Sequence, residues 1–296
     1  MHSFGYPALY ALFVWWFSTG LIIYLDNLSP RTFRWSMLGG TLVFATSLYR
    51  LAASSTDTST AGAYAAFTYG VLIWGWQEMS FFMGYITGPR KTAVPLGCRA
   101  WRRFVHGVEM CLHHELTIIA TALAVVDLTW GAPNQVGTWT FLLLWGMRQS
   151  AKLNFFLGVR NLGEEFVPKH LGYMKGLMAR KPINLLFPFS VTLGTVIAVL
   201  LAQRAMVPGI SGARAAGLTF LFTMMVLAVV EHWFLVLPLP FAELWSWVLR
   251  FRGDERRLVA ADLAVEGAAR DPRHDLAGVA RPGLAVTTGG QIVALQ

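Results

Sequence analysis

From Arg214 to Leu237 the chain reads RAAGLTFLFTMMVLAVVEHWFLVL, and between Arg214 and Glu231 it carries no charge. A helix rises 1.5 Å per residue, so a run of this length spans the roughly 30 Å of hydrocarbon in a bilayer. Six further apolar runs of comparable length precede it. They lie near Pro7–Leu25, Trp35–Ser54, Thr60–Tyr85, Phe104–Trp130, Val136–Leu157 and Phe187–Ala205. The pattern predicts an all-α, polytopic membrane bundle of about seven helices.

Composition points the same way. Of the 296 residues 55% are hydrophobic, the mean hydropathy is +0.50, and only 14% are charged. Soluble domains carry about 25% charged residues. The net charge of +8 is spread over loops and tail rather than over one face, and no nucleic-acid-binding module accompanies it. Nucleic acid is therefore excluded as a partner, and membrane lipid is expected. Cys98 and Cys111 are too few for a disulfide framework. Met1 to Pro7 holds no Lys or Arg and no small-residue cleavage site follows, so a removable signal peptide is not expected.

Orientation follows from the basic residues. The connections after the first, third and fifth runs, with the stretch after the seventh, hold sixteen Lys and Arg. The opposite side holds Arg50, Arg204 and Arg214. The positive-inside rule then predicts an external N-terminus and a cytoplasmic C-terminus. Residues 1–250 form the expected transmembrane domain. Within it Val167, Leu171, Met174 and Met178 recur at helical spacing among Lys169, Lys175, Arg180 and Lys181. That spacing predicts an amphipathic surface helix near 167–180. Residues 251–296 are rich in Gly, Ala and charge and lack aromatics, the composition of a disordered cytoplasmic tail.

Ionisable groups inside a bilayer are costly and face a bundle interior, paired or functional. Here Gln77 and Glu78 lie on the third run, His106, Glu109, His113, His114 and Glu115 on the fourth, Arg148, Lys152 and Asn154 on the fifth, and Glu231 and His232 on the seventh. With the alternating directions of successive spans, all fall in the cytoplasmic half. Glu164, Glu165 and His170 adjoin them in the following loop. Glu109 and His113 are neighbours one helical turn apart. His113, His114 and Glu115 point to different sectors, so they cannot all meet one small site.

Three readings stay open at this point. A metal or tetrapyrrole site would use His113 or His114 with Glu78, Glu115, Glu231 and His232, because imidazole and carboxylate suit a borderline or hard metal and imidazole also ligates the magnesium of a chlorin. Arg148, Lys152, Glu164 and Glu165 would be its supporting charges. A lattice of ion pairs, Glu78 with Arg148 or Glu231 with Lys152, would instead lock the helices. A proton or ion path is the third. Trp74 and Trp76 fit a ring-stacking role or ordinary packing. A retinal protein is excluded, since Gly217 to Leu237 contains no lysine for a Schiff base.

Several strings carry a resemblance. They are Leu12–Phe13–Val14–Trp15–Trp16–Phe17–Ser18–Thr19–Gly20, Arg31–Thr32–Phe33–Arg34–Trp35, Trp74–Gly75–Trp76–Gln77–Glu78, His113–His114–Glu115–Leu116, Thr129–Trp130–Gly131–Ala132–Pro133–Asn134–Gln135, Ser150–Ala151–Lys152–Leu153–Asn154, Asn161–Leu162, Glu164–Glu165–Phe166 and Glu231–His232–Trp233–Phe234. Over residues 4–250 the chain resembles the PuhE family, the photosynthetic complex assembly proteins of purple phototrophic bacteria. The resemblance implies a place in the inner, intracytoplasmic photosynthetic membrane. It also implies a role in making the reaction centre and core antenna through bacteriochlorophyll supply or insertion. The implied partners are reaction-centre or core-antenna subunits, or enzymes of bacteriochlorophyll synthesis, and the candidate ligands are bacteriochlorophyll or a metal ion. No catalytic residues come with the family, and turnover is not expected. The alternatives are a membrane metal-dependent oxidoreductase of bacteriochlorophyll synthesis and a scaffold that binds nothing.

The charge asymmetry makes a direct prediction. Reporter fusions at Gly131 to Gln135 should report the external side, and fusions after Arg252 the cytoplasm. A cytoplasmic signal from 131–135 would contradict the seven-span topology.

Overall fold

The structure, a computed structural model, describes residues 2–238 except Leu96, Glu165 and Phe166. Contacts divide the chain into a compact unit, Met1–Val248, and a second, Leu249–Gln296. The second unit, and with it the expected disordered tail, lies outside the described residues. Within the first are seven long α-helices: α1 His2–Asn27, α2 Phe33–Ala53, α3 Thr60–Phe82, α4 Ala100–Leu128, α5 Val136–Leu157, α6 Leu186–Ala205 and α7 Gly212–Phe234. Among the described residues no β-strand forms beyond one isolated bridge between Val159 and Arg180. Among the described residues four helices are long and apolar enough to cross a membrane: α1 over Phe4–Asn27, α4, α6 and α7.

Each helix sits within a few residues of an apolar run, and the differences have local causes. The third run was expected to reach Tyr85. The helix ends at Phe82 because Gly84 takes a left-handed φ of 79° and donates its N–H back to the Phe81 carbonyl. At the starts of helices, side-chain oxygens satisfy free N–H groups. Ser59 Oγ accepts from Gly62 at α3, and Asn184 Oδ1 accepts from Leu186 and Phe187 at α6. Before α3, the Ser59 hydroxyl and backbone N–H hold the exposed Asp57 carboxyl below the usual carboxylate range.

The segment near 167–180 is helical but 3₁₀ rather than α, over Lys169–Leu177. Gly172 and Gly176 lower its α-propensity. The tighter 3₁₀ turn places residues three apart on one face, and Leu171 and Met174 are that face. They are buried against Phe81 and Met110, so the segment packs onto the ends of α3 and α4. His170 fastens it, with Nε2 2.8 Å from the Phe82 carbonyl.

Helix α3 is central and packs against α1, α2, α4, α5 and α7. Its crossing with α5 works through small residues, because lipid tails give helices little reason to associate except close packing. A Cβ on Gly70 would stand 2.7 Å from the Gly137 carbonyl, and one on Gly137 would stand 2.6 Å from that of Ala66. Either is a clash with backbone. The core beside this crossing divides in two. Phe67 and Phe220 stack with centroids 4.5 Å apart between α3 and α7, and Trp74 meets Phe141 edge-on between α3 and α5.

Large apolar side chains also cover the outside. Leu9, Phe13, Leu42, Leu123, Phe189 and Leu193 are each more than half exposed, a surface that water would penalise and hydrocarbon would not. Exposed Trp35, Trp101, Trp130 and Trp139 lie at or just beyond helix ends, where membrane proteins place interfacial aromatics.

Candidate functional site

The C-terminal halves of α1, α3, α5 and α7 and the N-terminal half of α4 surround a cavity of about 950 Å³. It lies at the upper end of the size range of ligand pockets. Helix α1 contributes one continuous stripe, Trp15, Ser18, Thr19, Ile22 and Asp26, at the 3.6-residue period. Val71, Trp74, Leu144 and Met224 make an apolar interior, while Glu78, Glu115, Arg148, Lys152 and Glu231 bring charge to the same wall.

The charges are mostly paired across helices. Arg148 Nη2 lies 2.9 Å from Glu78 Oε2, joining α5 to α3. Its guanidinium also sits 5.5 Å from the Phe82 ring centroid. Lys152 Nζ lies 2.6 Å from Glu115 Oε1, joining α5 to α4, and Gln149 Nε2 donates to the other oxygen of the same carboxylate. The expected Glu231–Lys152 pair does not form. Glu231 instead accepts from Trp15 Nε1 at 3.0 Å, which ties α7 to α1. The reason is rotational: Lys152 faces α4, and Glu115 meets it there. Glu109 likewise turns away from His113, pairing with His106 at 3.1 Å and Arg90 at 3.5 Å. Glu164 pairs with Arg180 at 3.3 Å and Lys175 at 3.8 Å on the exposed rim. Glu165 lies outside the described residues.

The three candidate histidines are not brought together. His232 is buried with both ring nitrogens engaged: Nδ1 is 2.8 Å from the Ala228 carbonyl and Nε2 is 2.9 Å from Ser150 Oγ. Ser150 continues to Ser190, and Asn154 and Asn184 complete a polar network across α5, α6 and α7. His113 is exposed on the outer face of α4. His114 is fully buried, tilted against Phe81 with centroids 4.5 Å apart, and off the cavity wall. Neither of its ring nitrogens has a hydrogen-bond partner among the described residues.

A metal centre does not fit this arrangement. Among the described residues no three His, Cys, Asp or Glu side chains converge closely enough to hold a metal ion. Trp76, a possible ring platform by sequence, is committed to packing, stacked on Phe44 at 4.5 Å and donating to Thr41 Oγ1 at 3.0 Å. Trp74 both packs on Phe141 and faces the cavity.

Sequence reasoning missed Asp26. It ends an apolar run and so reads as the start of a loop, yet it is buried on the cavity wall and its Oδ1 is unpartnered. The signal was present in the stripe of α1 that continues from Trp15 through Ser18, Thr19 and Ile22.

These features define an all-helical protein with membrane-length helices around an internal cavity. The chain belongs to the family described as "Protein of unknown function (DUF3623)", whose model matches residues 1–256. It is 37% identical over 257 residues to the "Uncharacterized 30.4 kDa protein in puhA 5'region" of Rhodobacter capsulatus, covering 86% of this chain and 93% of that protein. No solved structure matches the chain.

His114 gives a test of whether imidazole is used here. Leaving a buried polar group unmatched costs about 1–3 kcal/mol. His114→Leu should therefore leave accumulation unchanged or raise the unfolding midpoint of the purified protein. A large loss of stability would show that the imidazole holds a partner or ligand.

Proposed function

We propose that this chain is a seven-span protein of the inner photosynthetic membrane, N-terminus outside and C-terminus in the cytoplasm. It serves assembly of the reaction centre and core antenna by acting on bacteriochlorophyll supply or insertion, without turnover. The Rhodobacter capsulatus relative lies in the puhA 5' region, and that neighbourhood supports the process. The resemblance to the PuhE family supports the same process. For the span count, α2, α3 and α5 have 21, 23 and 22 residues, enough to cross about 30 Å. Their polar residues are what lower their hydropathy, and on α3 and α5 these turn inward.

The observation that carries the mechanism is the cavity. Its apolar, aromatic interior and its volume suit a large flat ligand held in passing. Bacteriochlorophyll would supply its own light absorption, and its magnesium would take a donor from the chain. The histidines do not suit that donor role, since His232 is engaged, His113 faces outward and His114 lies off the wall. What the chain itself contributes is an apolar, shaped space with charges fixed in pairs. Reaction-centre subunits or pigment enzymes are the partners this reading proposes. A second reading, a scaffold without ligand, draws on the same pairs, because Glu78–Arg148 and Glu115–Lys152 already join helices within the protein.

Deleting the coding sequence in a phototrophic host should lower bacteriochlorophyll or assembled core complex while leaving respiratory growth intact. Unchanged pigment and complexes across light and oxygen regimes would contradict the role. Absorption spectra of the gently purified protein then separate the carrier from the scaffold.

A further inference from the structure

We infer that the cavity binds a membrane lipid with an ammonium head group, seated at Asp26 with its apolar body along the interior wall. The inference goes beyond the assembly reading and needs only the cavity.

Asp26 is 8% exposed, lines the cavity, and has no hydrogen-bond or ion-pair partner among the described residues. Its Oδ1 is covered and meets no donor. A buried acceptor of this kind is costly unless a donor meets it. Its position makes the deficit larger. Asp26 sits in the last turn of α1, where no basic residue stands. Carbonyl dipoles already place partial negative charge at a helix C-terminus, which favours a cation and disfavours a carboxylate.

The neighbouring charges do not relieve it. Arg148, on the same wall, is engaged by Glu78 Oε2 at 2.9 Å. Glu78 Oε1 is itself buried without a partner. Lys152 is engaged by Glu115. Two carboxylate oxygens of the wall, Asp26 Oδ1 and Glu78 Oε1, lack a donor against one unpartnered donor, Arg148 Nε, and the complement is a donor-rich cation.

Geometry favours a lipid over a small amine. Asp26 is at the end of a membrane-length helix, the level at which head groups lie, and the cavity runs from there toward apolar Val71, Leu144 and Met224. One molecule with a cationic head and a hydrocarbon tail meets both ends.

The test uses the full chain purified in nonionic detergent. Native mass spectrometry should show phosphatidylethanolamine retained in preference to phosphatidylglycerol. In competition for the site, dodecylamine should displace it roughly tenfold or more better than dodecanol or dodecanoate, the margin of a charge-assisted hydrogen bond. Asp26→Asn should abolish that preference, Asp26→Glu should keep it, and Asp57→Asn, an exposed acid outside the cavity, should change nothing. Equal binding of dodecanol, or an unchanged preference in Asp26→Asn, would overturn the proposal. Amine preference without retention of phosphatidylethanolamine would overturn the lipid assignment. Should Asp26→Asn fail to accumulate, the comparison of amine, alcohol and acid on the unaltered protein still decides.

Discussion

The Glu78–Arg148 pair sets the geometry that the rest of the site depends on. A carboxylate placed among apolar helices must be met by a cation or by donors, and here one guanidinium on the neighbouring helix does this at 2.9 Å. About two to three helical turns away the same two helices touch backbone to backbone at Gly70 and Gly137. At one level α3 and α5 are held by the absence of side chains, and at the other by two long ones. The space that the long pair keeps open belongs to the cavity. Glu115–Lys152 and Glu231–Trp15 then fasten α4 and α1 to the same frame.

This arrangement explains why polar residues within the membrane-length helices need not mark chemistry. Most of them are structural fasteners, and the loop residues behave alike. Asn134 donates to the Asp57 and Gly62 carbonyls and so clamps the start of α5 to that of α3. Asn161 caps the end of α7 through the Phe234 and Leu237 carbonyls. Both lie in strings that carry the family resemblance, so those strings are explained by folding as well as by function. The exceptions stand out against this background. Asp26 faces a cavity unpartnered, and His114 is buried unpartnered away from it.

The helices were legible because hydropathy and length act along the chain, and seven apolar runs became seven helices. Their ends were less legible where a glycine in left-handed conformation, Gly84, stops a run that hydropathy alone would continue. The segment near 167–180 was legible as a helix, and its 3₁₀ winding was not, because apolar spacing of three and four residues suits both. That Glu78, Glu115, Arg148, Lys152 and Glu231 gather at one end of the helices was legible, since it follows from their positions along successive runs. Their pairing was legible only in part. Rotation about a helix axis decides whether Glu231 meets Lys152 or Trp15, and no single sequence states how two helices are rotated against each other. The Glu78–Arg148 pair was anticipated, whereas the role of Asp26 required seeing that the stripe of α1 faces inward.

The central claim is that Glu78 and Arg148 hold α3 and α5 as a coupled pair across the cavity wall. A double-mutant cycle with Glu78→Gln, Arg148→Met and the combination, read by chemical denaturation in micelles, measures that coupling directly. The pair is partly open to the cavity, with side chains 13% and 29% exposed, so its worth lies between an exposed pair at ~1 kcal/mol and a fully buried one at ~3–5 kcal/mol. The account predicts that each single change destabilises the protein and that the double change costs less than their sum by about 1–3 kcal/mol. Single effects that add within about 0.5 kcal/mol would show two independent residues and contradict it.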